Sequence, residues 1–142
     1  MKTLISISLL FLMNTLAFAY DPSLLINVKK VGSLLKRAES TGKTSNGTKC
    51  EAEIRRIEDG YYTLLLTLEE NTIFIALDLE VYGQRPVSSW TKTSFVLHEK
   101  GDEGSQGLVM IEEFATKKLM IKAYDELNGY KREVTCFLSL KK

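Results

Sequence analysis

From Cys50 onward apolar residues recur at every second position, and this alternation limits the possible folds more than any other feature of the chain. Cys50, Ala52 and Ile54 alternate with Glu51, Glu53 and Arg55, and Tyr62, Leu64, Leu66 and Leu68 stand opposite Thr63 and Thr67. Ile73, Ile75, Leu77, Leu79 and Val81 alternate with Phe74, Ala76, Asp78, Glu80 and Tyr82. Later runs cover residues 93–98, 108–114, 118–124 and 130–140. Side chains of an extended strand point to opposite faces in turn, so each run predicts a strand with one buried face. Glu58-Asp59-Gly60, Glu69-Glu70-Asn71 and Leu127-Asn128-Gly129 separate consecutive runs at hairpin distances, and Asn-Gly supplies the positive φ angles of a tight turn. Such short links force antiparallel neighbours, because a parallel crossover needs a dozen residues or more. Two connections read as longer: residues 83–92, with Pro86 and Trp90, and the polar, glycine-rich residues 100–107. The expected fold is therefore mainly β: about seven strands in an antiparallel meander, closed as a small barrel or packed as a sandwich.

The chain ahead of this region divides into three parts. Lys2, the apolar run from Leu4 to Leu16 and the small-x-small site Ala17-Phe18-Ala19 have the layout of a secretory signal peptide over residues 1–19. Its apolar run is shorter than the ~20 residues a membrane span needs. Asp21-Pro22 reads as a helix start, with an N-cap oxygen followed by proline at the first helical position. Leu24, Val28, Val31, Leu35 and Ala38 then recur at spacings of four and three, with Asn27, Lys30, Ser33 and Arg37 on the opposite side. This predicts an amphipathic helix over residues 22–38, in which Gly32 costs roughly 1 kcal/mol relative to alanine. Residues 40–49 hold no apolar side chain and read as a polar linker. The expected organisation is leader 1–19, helix and linker 20–49, and β domain 50–142. The exported part, about 123 residues, is the size of one domain.

Hydrophobic residues make up 44% of the sequence and charged ones 26%, which argues against disorder. The full chain carries 19 basic and 18 acidic residues, and Lys2 is the leader's only charge, so the exported part is neutral. Neutrality gives no reason to expect a nucleic acid as partner. Lys29, Lys30, Lys36, Arg37, Lys43 and Lys49 nonetheless make residues 20–49 basic, so contact with a membrane through the helix is a less favoured expectation. Cys50 and Cys136 are the only cysteines, and in an exported chain they predict one structural disulfide. Neither the cysteines nor the single histidine, His98, has the close spacing of a metal or redox site, so no metal and no cofactor is expected.

No catalytic motif stands out, and the expected function is an exported, non-enzymatic binding protein for a small ligand or a protein partner. Trp90, Tyr82 and Tyr124 are the candidate binding residues, being aromatics with polar tips at strand ends or in the longest connection. A second class is a hydrolase using one of the pairs Glu69-Glu70, Asp102-Glu103 or Glu112-Glu113. A third is a structural or membrane-surface component docking through the helix. Asn46-Gly47-Thr48 matches the N-glycosylation acceptor and has that role only in a eukaryotic source. The leader places the protein outside the cytoplasm, in the periplasm or the extracellular space.

Overall fold

A computed structural model describes residues 25–57 and 60–142. The leader, the Asp21-Pro22 helix start, and Glu58-Asp59 of the first separator lie outside these residues. Helix α1 (Leu25–Lys36) is followed by β1 (Ala38–Thr44), β2 (Lys49–Arg56), β3 (Tyr62–Leu68), β4 (Asn71–Ala76) and β5 (Val87–Trp90). Strands β6 (Ser94–Lys100), β7 (Gly104–Glu113), β8 (Lys118–Leu127) and β9 (Tyr130–Leu140) complete the chain. The nine strands among the described residues join one antiparallel sheet in the order β4-β3-β2-β1-β9-β8-β7-β6-β5, which curls into a half-barrel. The mainly β expectation holds. The count of seven strands does not, and the single curled sheet takes the place of the closed barrel or the sandwich.

The two added strands lie where alternation carries no signal. Strand β1 occupies the first half of the stretch read as polar linker. It is bonded on both sides, with Gly42 opposite Cys50 of β2 and opposite Leu138 of β9. Such a strand satisfies its main chain through its neighbours and does not need large apolar side chains of its own. Strand β5, within the connection 83–92, is only four residues long (Val-Ser-Ser-Trp) and pairs with β6 as an edge. Conversely, residues 100–107 are mostly strand: the β6–β7 turn takes only residues 101–103.

Cys50 and Cys136 are bonded as expected, closing a loop with a sequence separation of 86. Their strands are not neighbours, however, because β1 runs between them. Next-nearest strands in a flat sheet lie about 9.6 Å apart, yet the two Cα atoms are 6.1 Å apart. The sheet therefore folds sharply at β1, where its register shifts between Ala38 and Gly42. Gly42 permits that fold, since a Cβ there would stand 2.0 Å from the Phe137 carbonyl oxygen.

The concave face carries the alternating residues, among them Leu64, Leu66, Ile75, Phe95, Leu97, Met110, Ile121 and Leu138, all buried. Helix α1 lies in the hollow and adds Val31 and Leu34. Its buried Asn27 belongs to the side read as polar. The Asn27 amide donates to the Leu77 carbonyl just after β4 (3.0 Å), and its oxygen accepts from the Ser88 hydroxyl of β5 (2.5 Å). One helix side chain thus ties together the two ends of the sheet. Arg37, at the α1–β1 junction, donates through Nε to the buried Glu112 of β7 (2.5 Å) and through a terminal nitrogen to the Lys92 carbonyl (2.9 Å).

Candidate functional site

The most distinctive local geometry is where edge strand β4 meets the far ends of β7, β8 and β9. Leu77 N–H donates to the Tyr62 carbonyl, which makes Tyr62 and Leu77 a hydrogen-bonded pair. By the alternation of an antiparallel ladder, Leu64–Ile75, Leu66–Ile73 and Leu68–Asn71 are bonded pairs too. The N–H and C=O groups of residues 72, 74 and 76 therefore point away from β3, toward the open edge.

Side chains of the opposite wall take up half of those groups. Gln106 of β7 behaves like a strand residue: its Oε1 accepts from Ala76 N–H (3.1 Å) and its Nε2 donates to the Ala76 carbonyl (3.1 Å). Arg132 of β9 donates to the Thr72 carbonyl at 3.4 Å. Both capping side chains are themselves fixed. Arg132 grips Asp125, its cross-strand partner on β8, through Nε (2.8 Å) and a terminal nitrogen. Gln106 Nε2 also donates to Glu99 Oε2 (2.9 Å), while Glu99 Oε1 accepts from Val81 N–H (2.7 Å). Glu99 is only 2% exposed. Burial lifts its carboxyl above the ordinary glutamate range, outweighing the two donors, which pull it down.

Between the two caps the seam stays open. A cleft of about 660 Å³ lies there, walled by Ile57, Phe74, Val81, Tyr82, Leu127 and Tyr130, with Thr63, Ala76, Gln106, Asp125 and Arg132 completing it. Four of its wall residues are large apolar or aromatic side chains left exposed: Ile57 37%, Phe74 56%, Leu127 49% and Tyr130 73%. Leu127 and Tyr130 project from the two ends of the Asn128-Gly129 turn, whose residues have φ of +51° and +79°, as the Asn-Gly pair predicts. Aromatic and apolar walls around a few fixed polar groups are the usual make-up of a ligand site.

The three candidate binding residues occupy three separate places. Tyr82 lines the cleft. It sits in the tight turn bridging Val81 and Gln84 with φ +56°, unusual for an aromatic residue, and its ring packs on Gly104, where a Cβ would lie 2.8 Å away. Burial, followed by the charges of Asp125 and Glu99, raises its hydroxyl pKa. Tyr124 lies elsewhere, flat over Gly107, with its hydroxyl 2.6 Å from His98 Nδ1 and the Lys131 ammonium 5.0 Å from its ring. Trp90 lies beside the helix, 5.8 Å from the Lys30 ammonium. Asn46 is exposed at the tip of the β1–β2 hairpin.

The face read from alternation as Phe74, Asp78, Glu80 and Tyr82 is not continuous, since β4 ends at Ala76. Asp78 turns inward and accepts from Tyr62 N–H at 2.6 Å. Of the acidic pairs, Glu69-Glu70 stands exposed in the β3–β4 turn. Glu112 and Glu113 point to opposite faces of β7, the first to Arg37 and the second to the Thr116 hydroxyl (3.0 Å). Asp102 and Glu103 line a polar depression with His98, Tyr124, Glu126 and Lys131. Gln106, Arg132 and Ile57 drew no attention in the sequence, and Leu127 only as part of a turn, because what joins them is the curl of the sheet. Among the described residues no group of three metal-ligating side chains converges, and no helix is long and apolar enough to cross a membrane.

No protein-family model, curated protein or solved structure matches this chain.

Proposed function

We propose that this is an exported, non-enzymatic binding protein that receives the apolar part of its ligand in the cleft between β4 and the β8–β9 turn. The observation that carries the reading is convergence. Ile57, Phe74, Leu127 and Tyr130 come from three different connections or edges and expose their apolar surface toward one concavity. Scattered exposed apolar residues are ordinary on a protein surface, whereas a group gathered around a hollow with a fixed polar floor suits a ligand. The disulfide agrees with export to an oxidising compartment. The apolar stripe of α1 is already used in the core through Val31 and Leu34, which favours the cleft over the helix as the contact surface.

The test is a titration of ¹⁵N-labelled protein with anilinonaphthalene sulfonate, an apolar fluorescent probe, followed by amide chemical shifts. Shifts are expected to gather at Phe74, Leu127 and Tyr130. The double variant Phe74→Ser/Tyr130→Ser is expected to abolish binding while changing stability by no more than about 0.5 kcal/mol per exposed site. Shifts centred elsewhere, or undiminished binding by the variant, would reject the cleft.

A further inference from the structure

The same cleft carries a more specific chemistry, which rests on the reading just proposed. Three residues of β4 turn their main chain outward, and two of them are capped: Thr72 by Arg132 at its carbonyl, and Ala76 by Gln106 at both groups. Phe74 lies midway between them. No hydrogen bond among the described residues engages its N–H or C=O, and its side chain forms a wall of the cleft. An edge strand with free donors and acceptors is a template for another extended chain. Here the template is cut down to the donor–acceptor pair of Phe74, with the Thr72 N–H as one further donor at its end. The distance from Thr72 to Ala76 is roughly 13 Å at the rise of a strand, room for one paired residue and parts of its two neighbours.

We propose that the ligand is a short extended peptide segment with one large apolar side chain, held by β-augmentation at Phe74. The central residue of the segment exchanges two hydrogen bonds with Phe74, its C=O accepting from Phe74 N–H and its N–H donating to the Phe74 carbonyl. In such a pair both side chains project to the same face, so the ligand's apolar group lies beside the Phe74 ring, toward Leu127 and Tyr130. The caps set the length: a longer strand must displace Gln106 or Arg132, each anchored by a buried or paired acid, Glu99 or Asp125. A lipid tail or an aromatic solute offers nothing to the Phe74 main chain. The open amide pair thus selects a peptide from the apolar ligands that the walls alone admit.

The test compares three probes on the oxidised protein by ¹⁵N NMR titration: a capped alanine tripeptide with phenylalanine at its centre, its depsipeptide with an ester in place of the amide that supplies the central N–H, and a medium-chain alcohol. The expected result is tripeptide binding with a large downfield shift of the Phe74 amide, and a depsipeptide about tenfold weaker through loss of one hydrogen bond. Equal affinity for tripeptide and depsipeptide, or an alcohol that binds as well as the tripeptide, overturns peptide recognition while leaving the cleft a ligand site. If none of the three shifts Phe74, Leu127 or Tyr130, both this inference and the binding role of the cleft are wrong.

Discussion

Replacing Gln106 with leucine tests how the edge of β4 is closed. The side chain makes three hydrogen bonds, two with Ala76 and one with Glu99, and leucine keeps nearly its size while making none. The Ala76 groups lie beside an open cleft and are rehydrated on loss of their partner, so each costs toward the low end of about 0.5–1.5 kcal/mol. Glu99 is different. At 2% exposure its Oε2 has no solvent to turn to, and losing a charge-assisted partner costs about 1.5–3 kcal/mol. The sum is about 2–4 kcal/mol, or roughly 8–16 °C in Tm at ~4 °C per kcal/mol for a domain of this size. The loss also depends on pH. Glu99 titrates higher in the folded state than unfolded, so its contribution is most favourable below the unfolded value and declines as pH rises through the folded one. Without Gln106 only Val81 N–H still favours the charged form, which moves the folded pKa further up and steepens that decline. Denaturant melts of wild type and Gln106→Leu, taken at pH 4 and pH 8, are expected to show a gap that widens toward pH 8. A gap below about 0.5 kcal/mol, or one of equal size at both pH values, refutes the Glu99–Gln106–Ala76 chain as the lock on this edge.

Further expectations concern the frame that holds the cleft in place. Asn27→Leu removes the partners of both the Leu77 carbonyl and the Ser88 hydroxyl, and should lower unfolding free energy by about 2–4 kcal/mol in urea melts. Gly32→Ala should raise stability by about 0.5–1 kcal/mol, because the new methyl meets only Ile54 Cδ1 at an ordinary 3.6 Å and the helix gains propensity. Gly42→Ala and Gly107→Ala should differ: the first drives a methyl into the Phe137 main chain and costs more than about 3 kcal/mol. The second meets the movable Tyr124 ring and costs less, while shifting the His98 imidazole resonances.

The legible part of the fold follows from how each strand is buried. Strands β2, β6, β8 and β9 have one face on the core, so Ala52-Ile54 or Leu119-Ile121 announce themselves by alternation, whereas β3 buries Thr63 and Leu65 as well as Leu64 and Leu66. Strand β1 buries only Ala38 and carries a glycine at the bend, so its signal lies in hydrogen bonds, which the residue types do not reveal. Strand β5 is too short for a period to register. Pairing of Cys50 with Cys136 was readable from their number and register, but the strand between them was not. At the site, Tyr82 and the Asn128-Gly129 turn could be singled out in advance, as a polar-tipped aromatic and a turn signature. Asn27 read as a solvent-facing helix residue because the helix period cannot show that the curled sheet brings Leu77 and Ser88 to that side. Gln106 was hidden for a similar reason: nothing in Ser-Gln-Gly says that a strand 30 residues earlier in the chain presents its main chain to that amide.

Amide hydrogen exchange at two neighbouring outward-facing positions of β4 gives the sharpest check on a half-barrel seam that is locked at its ends and open between them. Ala76 N–H, held by Gln106, should exchange slowly, and Phe74 N–H should exchange near the rate of an unprotected amide. Strong protection at Phe74 would mean that the seam is sealed, and rapid exchange at Ala76 would mean that Gln106 does not hold it.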